Sequence, residues 1–203
     1  ASFDPALEQR IGTAIGQEAR ASGANYFAGL CVNLLRHPAW GRAQETSGED
    51  SFHLGTMGTG LLRGVQSQHV MVCAKHFAVN SIENSRFYLD VSIDDQTLHE
   101  IYLPHFRMLV DAGVDSLMSA YNQLNGEYCG HHHKLLHTIL REQWGFRGFV
   151  SSDWLWGIYD TAKPATAGMD VEMPYARFYG RKLVKAVQNS TVPIENINTS
   201  VRR

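Results

Sequence analysis

The stretch LLHTILREQWGFRGFVSSDW, residues 135–154, decides the fold, because it joins a helix to a strand through a glycine break. Residues 135–144 place apolar side chains at helical spacing, and Gly145 predicts the end of that helix. Residues 148–152 predict a short buried strand, and Asp153 and Trp154 follow it directly. A helix that leads within a few residues into an apolar strand is the unit from which parallel α/β folds are built.

The same alternation extends over the whole chain. Helices are predicted near residues 5–23, 51–65, 94–110, 135–144, 158–167, 179–189 and from 193 onward. Apolar strands are predicted near residues 26–32, 70–74, 116–120, 148–152 and 170–173. Alternation at this spacing predicts βα units around a parallel sheet, and both an open doubly wound sheet and a (β/α)8 barrel satisfy it.

Composition narrows the function classes. The 203 residues are 44% hydrophobic and 19% charged, which predicts a single globular domain with a substantial core. The formal net charge of −2 gives no electrostatic footprint for nucleic acid or for an anionic membrane. No apolar stretch is long enough to predict a membrane span, and the sequence does not assign a compartment.

Cysteine and histidine placement argues against a disulfide scaffold and against a metal centre. Cys31 and Cys73 lie in apolar runs and are predicted to be buried thiols, and no C-x-x-C pair is present. The run of histidines at 131–133 suggests a metal site. Consecutive histidines on one turn cannot all face one ion, however, and no carboxylate stands at ligand spacing. A polar helix start is the better interpretation of this run.

Polar and aromatic residues lie at the ends of the first four predicted strands and within the fifth. In chain order these are Arg36 and Arg42, Lys75 and His76, Tyr121 and Asn122 with Met118 just before them, Asp153 and Trp154, and Asp170 and Glu172. In a barrel the carboxyl ends of the strands meet on one face, where barrel enzymes keep their active sites. The pattern therefore predicts a pocket with several cations, one or two carboxylates and aromatic walls.

Two of these positions allow more than one role. Asp153 leaves a strand beside an aromatic ring, which suits a nucleophile that attacks a sugar ring, although a helix N-cap is the alternative. Lys75 suits three roles: binding sugar hydroxyls together with His76, forming a Schiff base as in aldolase-type barrels, and forming a structural ion pair.

Five segments together resemble glycoside hydrolase family 3. They are N-x-x-R-x-P-x-W-G-R at 33–42 with G-E-D at 48–50, K-H-F-x-x-N at 75–80 with Glu83 and Arg86, M-S-x-Y-N-x-x-N-G at 118–126, L-R-x-x-W-G-F-x-G-F-V-x-S-D-W at 140–154, and G-x-D-x-x-M-P at 168–174. The motifs follow the family order and cover nearly the whole chain.

The resemblance implies a retaining β-glycosidase, most similar to the β-glucosidases, on a partial (β/α)8 TIM-like barrel. It implies Asp153 as the nucleophile, and it implies no cofactor and no metal. The sugar-binding positions that it implies are Arg42, Lys75, His76, Arg86, Met118, Tyr121 and Trp154. The implied partner is a small carbohydrate, with no nucleic acid and no membrane.

Two departures from the family pattern shape the expectation. The loop after the K-H-F motif, residues 78–83, lacks the histidine pattern of the N-acetylglucosaminidase branch. The β-glucosidases take their acid/base glutamate from a second domain, so residues 1–203 are expected to form a single, incomplete N-terminal barrel domain. The alternatives are a sugar-binding or inactive fragment and a β-xylosidase or arabinosidase of the same family. An incomplete barrel is also expected to self-associate through exposed strand edges.

Overall fold

Two glycine-rich helices begin the fold of the computed structural model, which describes residues 2–203. Helix α1 (Pro5–Ala21) starts at Asp4, whose carboxylate accepts the backbone N–H groups of Ala6 and Leu7. Helix α2 (Ser51–Gln66) packs against it almost backbone to backbone. A Cβ on Gly64 would lie 2.1 Å from the Gln9 carbonyl oxygen. The glycines of α2 therefore serve helix packing.

A four-stranded parallel sheet lies at the centre of the molecule. Its strands in spatial order are β1 (Tyr26–Cys31), β2 (Met71–Phe77), β4 (Ser116–Ser119) and β7 (Phe149–Ser151). All three pairings are parallel. A second small sheet contains β3 (Asp90–Val91), β5 (Gln123–Leu124) and β6 (Glu127–Tyr128). The parallel sheet confirms the α/β class predicted from the alternating pattern.

Helices connect these strands along the chain. The remaining helical segments are α3 (Asp95–Thr97), a π-helical turn (Leu98–Tyr102), α4 (Pro104–Asp111), a π-helical segment (Lys134–Gln143), α5 (Ala162–Ala167), α6 (Arg181–Gln188), α7 (Ile194–Arg202) and a 3-10 turn (Ala43–Glu45). The segment at 134–143 ends before Gly145, which has a φ of +67°. The sequence predicted that stop.

The core forms where the strands are buried on both faces. Val72, Cys73 and Ala74 of β2 are fully buried, which explains why this strand is apolar without alternation. Phe77 and Phe106 pack edge to face with ring centroids 5.1 Å apart. The prediction of buried thiols is confirmed, because all three cysteines are buried and free.

Three predicted boundaries were wrong, each because a side chain takes a backbone N–H. The strand near 170–173 is reduced to one bridge at Val171, because the Met173 N–H donates to the Ser152 hydroxyl. The helix predicted from 158 begins at Ala162, where the Asp160 carboxylate accepts the Lys163 N–H. The helix predicted from 179 begins at Arg181, because the Glu172 carboxylate accepts the N–H groups of residues 178 and 179.

The two outer strands of the central sheet are β1 and β7. Strand β1 is half-buried over Tyr26–Ala28 and becomes fully buried only at Leu30 and Cys31. Within residues 2–203, strand β7 continues outward only through the Ser151–Val171 bridge. Self-association through these edges remains a prediction. Among the described residues no helix has the length and apolar character needed to cross a membrane.

Candidate active site

A pocket of about 280 Å³ opens beyond the carboxyl ends of the four parallel strands. Cys31, Lys75, Met118 and Ser151 form one row across the sheet, and the chain beyond this row leads into the pocket. The lining residues are Ala28, Arg42, Lys75, His76, Arg86, Met118, Tyr121, Asp153 and Trp154. The structure thus brings all eight residues of the predicted site into one cavity.

Asp153 lies two residues beyond β7 and is 6% exposed. Its Oδ1 accepts the backbone N–H of Trp154 at 2.7 Å, whereas its Oδ2 has no hydrogen-bond partner. Burial raises the pKa of this carboxyl, and the Trp154 N–H, Tyr121 and the nearby arginines oppose that rise. One oxygen is therefore anchored to the backbone while the other is free to react.

His76 is buried between Arg42 and Asp153. Its Nε2 lies 2.8 Å from Nη1 of Arg42 and 3.6 Å from Oδ2 of Asp153. Burial, followed by the charges of Arg42, Lys75 and Arg86, holds the pKa of His76 well below its usual range. The imidazole is therefore neutral, and it contributes hydrogen bonding to the pocket without charge.

The pocket arginines are each held by a glutamate. Arg42 donates from Nε and Nη2 to both carboxylate oxygens of Glu45, at 2.9 and 2.7 Å. With the Nη1 contact to His76, three of its five N–H donors are engaged, and two remain for a ligand. Arg86 pairs with Glu83, whose other oxygen accepts the indole N–H of Trp40 at 3.0 Å. Both guanidinium groups are therefore oriented before any ligand binds.

Aromatic side chains form the wall and the rim of the pocket. The guanidinium of Arg86 lies 4.5 Å from the ring centroid of Tyr121, and the Tyr121 hydroxyl donates to the Trp154 carbonyl at 2.7 Å. The Trp154 side chain is 39% exposed, so its indole can contact a ligand in the open mouth. Met118 is buried and supplies an apolar surface.

Four residues that the strand-end pattern placed near the pocket do not line it. Arg36 stacks over Tyr102, and the buried amide of Asn122 donates to the carbonyls of residues 78 and 123. Asp170 is buried in ion pairs with two arginines, and Glu172 accepts backbone N–H groups. The expectation that the fifth strand contributes carboxylates to the pocket was wrong. The Asp170 carboxylate is used by buried arginines, and the Glu172 carboxylate is used by backbone N–H groups.

Sequence reasoning missed the residues that support the pocket. Asn33 contacts His76, Glu45 holds Arg42, and Glu83 holds Arg86. Asn33 is part of the first motif that resembles family 3, and that motif was the only sequence feature that marked it. Its contact with His76 joins residues 43 positions apart, which the sequence does not reveal.

The histidine run does not converge on an ion. The Nε2 of His131 accepts the Tyr159 N–H at 2.9 Å, and the Nδ1 of His132 accepts the Leu135 N–H at 3.2 Å. Over residues 2–203, no group of three or more histidine, cysteine or acidic side chains could hold a metal. Two of the three histidines instead accept backbone N–H groups at local turns.

The buried Asp153 carboxylate predicts a pH-dependent gain in stability for Asp153→Asn. The pKa of Asp153 is higher in the folded protein than in the unfolded chain, so ionisation of this carboxyl lowers the free energy of unfolding. The loss is absent below the unfolded pKa of about 3.9 and is complete above the folded pKa. We expect Asp153→Asn to raise the free energy of unfolding by about 0.5–2 kcal/mol at pH 7. Urea unfolding of both proteins from pH 3.5 to 8 should show the difference in unfolding free energy between Asp153→Asn and the parent growing as pH rises. A difference that stays constant over this range would contradict this account.

Comparison with known proteins decides the family. Residues 1–203 match the domain described as the glycosyl hydrolase family 3 N-terminal domain over their whole length. The chain belongs to glycoside hydrolase family 3. The resemblance inferred from the five motifs is thereby confirmed, and the chain spans about a quarter of the length of the curated relatives it matches.

Relatives within family 3 are similar over the entire chain. A beta-glucosidase of Rhizobium radiobacter is 42% identical over all of this chain and 25% of its own length. The thermostable beta-glucosidase B of Acetivibrio thermocellus is 37% identical over all of this chain and 27% of its own. The crystal structure of DesR, a beta-glucosidase from Streptomyces venezuelae in complex with D-glucose, superimposes with a TM-score of 0.95. It is 37% identical and covers 99% of this chain and 27% of DesR. These matches confirm the partial TIM-like barrel.

Proposed function

We propose that this chain is the N-terminal barrel domain of a retaining β-glycosidase that hydrolyses terminal β-linked glucose. The observation that carries the proposal is the free Oδ2 of Asp153, buried in a pocket with Arg42, Lys75 and Arg86. A carboxylate held by one oxygen and unpartnered at the other is suited to nucleophilic attack. The names of the relatives, which are beta-glucosidases, support glucose as the sugar.

In the first step, Oδ2 of Asp153 attacks the anomeric carbon while the bond to the leaving-group oxygen breaks. A general acid protonates that oxygen, and the sugar becomes covalently bound to Asp153. In the second step the same group, now a base, activates water, which attacks the anomeric carbon and releases Asp153. The anchored Oδ1 keeps the carboxylate oriented through both steps.

Hydroxyl recognition falls to the pocket donors that no protein group engages. The two free N–H groups of Arg42, the ammonium of Lys75 and the guanidinium of Arg86 face the cavity around Asp153. The ring becomes positively charged in the oxocarbenium-like transition state, and the Asp153 carboxylate stabilises that charge. The Arg42, Lys75 and Arg86 donors act on the ring hydroxyls, and their hydrogen bonds strengthen as the ring flattens. The exposed indole of Trp154 offers a flat surface for the C–H face of a sugar.

The acid/base group is proposed to come from outside residues 1–203. Asp153 is the only carboxylate lining the pocket among the described residues. Glu45 and Glu83, the nearest alternatives, are engaged by arginines. This observation favours a second candidate for the chain alone, namely a domain that binds sugar with little turnover. A β-xylosidase or arabinosidase specificity would use the same groups and is separated from the first candidate by substrate comparison.

The test is covalent labelling with an activated 2-deoxy-2-fluoroglucoside, whose glycosyl-enzyme accumulates because the fluorine slows its hydrolysis. The 203-residue chain and a longer version spanning the full length of the relatives are each treated and mapped by mass spectrometry. We expect the label on Asp153, with the longer version alone turning over glucosides that have poor leaving groups. A label on any other residue would rule out Asp153 as the nucleophile. Parallel assays with aryl xylosides and arabinosides identify the sugar.

A further inference from the structure

Asn33, just beyond β1, directs its whole side chain at His76. Its Nδ2 donates to the His76 carbonyl at 2.8 Å, and its Oδ1 accepts the His76 backbone N–H at 2.8 Å. The same Oδ1 lies 3.0 Å from the imidazole Nδ1. Both residues are 1% exposed, so water cannot replace these contacts. The two backbone hydrogen bonds fix which end of the amide faces the ring.

These contacts assign the imidazole proton. Because the Asn33 oxygen faces Nδ1 and can only accept, Nδ1 must carry the hydrogen. On the other side of the ring, Nη1 of Arg42 lies 2.8 Å from Nε2. A guanidinium can only donate, so Nε2 must present its lone pair. The neutral Nδ1–H tautomer is the single protonation state that satisfies both neighbours.

We propose that Asn33 is a positioning residue that holds His76 in the neutral Nδ1–H tautomer and thereby fixes Arg42 in the pocket. In the opposite tautomer an Nε2–H would oppose the Arg42 donor, and its alternative acceptor would be Oδ2 of Asp153, 3.6 Å away. That shift would move Arg42 and place a donor on the oxygen proposed to attack the sugar. The catalytic consequence rests on the proposed function, whereas the tautomer assignment does not.

The charges that face His76 act in the same direction. Burial opposes a positive imidazolium most strongly, and the charges of Arg42, Lys75 and Arg86 oppose it further. Asp153 is the one facing carboxylate among the described residues, and its Oδ2 lies beyond hydrogen-bond distance. The neutral ring is thus favoured by its surroundings, while Asn33 selects between its two neutral forms.

Two variants test the proposal in the intact protein that carries this chain. Asn33→Leu removes the acceptor from Nδ1, and Asn33→Asp replaces it with a carboxylate that favours the imidazolium. Histidine labelled with ¹³C and ¹⁵N reports the tautomer by NMR, and loss of one signal in His76→Gln assigns the resonance. We expect the neutral Nδ1–H form in the parent and its loss in Asn33→Leu. In Asn33→Asp we expect Nδ1 to keep its hydrogen while the His76 pKa rises and the signal moves towards that of the imidazolium. We also expect kcat/KM to fall on the order of tenfold or more, mainly through KM.

Asn122→Ala is the matched control, since Asn122 is also a buried asparagine that donates to backbone carbonyls. We expect it to leave His76 in the Nδ1–H form. An Nε2–H tautomer in the parent, or an unchanged His76 signal in both Asn33 variants, would overturn the proposal whether or not the protein hydrolyses glycosides. Failure of the proposed function would show separately, as a parent protein with the expected tautomer and no glycosidase activity.

Discussion

Replacing Asp153 with alanine is expected to lower kcat/KM on an aryl β-glucoside by roughly 10⁴-fold or more. The reason is that no other carboxylate among the described residues lines the pocket, so none can take over the attack. The measurement is steady-state release of the aryl alcohol by the longer version of the protein. Asp153→Ala removes a buried carboxylate whose ionisation costs stability, so we expect the variant to stay folded. Urea unfolding of the variant checks that the lost activity does not come from unfolding.

Azide gives the Asp153→Ala variant a second readout. The vacated volume beside the anomeric carbon can admit a small anion, and the free N–H groups of Arg42 favour its charge. Azide would attack the anomeric carbon as the aryloxide leaves, which yields an α-glucosyl azide of inverted configuration. Asp111→Asn, which alters an exposed carboxylate paired with Arg107, is the matched control and should keep full activity. If Asp153→Ala retained a tenth of the parent activity without azide, Asp153 could not be the nucleophile.

The sequence predicted the pocket well because it depends on local order along each strand. Lys75 and His76 directly follow the strand predicted at 70–74, which β2 extends to Phe77, and Asp153 follows the apolar run of β7. In a parallel sheet such positions meet at one edge whatever the details of packing. The strand ends alone supplied Lys75, His76, Met118, Tyr121, Asp153 and Trp154. The family motifs were needed to choose Arg42 over Arg36 and to add Arg86.

The supporting contacts could not be predicted, because they join residues that only the folded chain brings together. Asn33 reaches His76 across 43 positions. Asp170 lies in a predicted strand that was also expected to contribute to the pocket, yet it is paired with Arg141 and Arg203 away from the pocket. Nothing near Asp170 in the sequence distinguishes a carboxylate that faces a cavity from one that neutralises a buried arginine.

Replacing Asp170 with asparagine is expected to cost about 3–5 kcal/mol of unfolding free energy, because it leaves a buried arginine without its counter-ion. The Asp170 side chain is 1% exposed and that of Arg141 is 7% exposed, with a 2.9 Å contact between them. Burial lowers the pKa of Arg141 to about 10, which reflects how strongly this site disfavours an uncompensated charge. Urea unfolding at pH 7 measures the loss.

Glu195→Gln is the control for Asp170→Asn, since its ion pair with Arg202 is about two-thirds exposed and screened by solvent, so we expect its unfolding midpoint to match that of the parent. A loss below about 1 kcal/mol for Asp170→Asn would contradict the buried-pair account. Asp170 also accepts the Val150 N–H, and Arg141 donates to the Gly148 carbonyl, so the pair holds the entry and the middle of β7. We therefore expect Asp170→Asn to impair glycosidase activity as well, because β7 is the strand that presents Asp153 to the pocket.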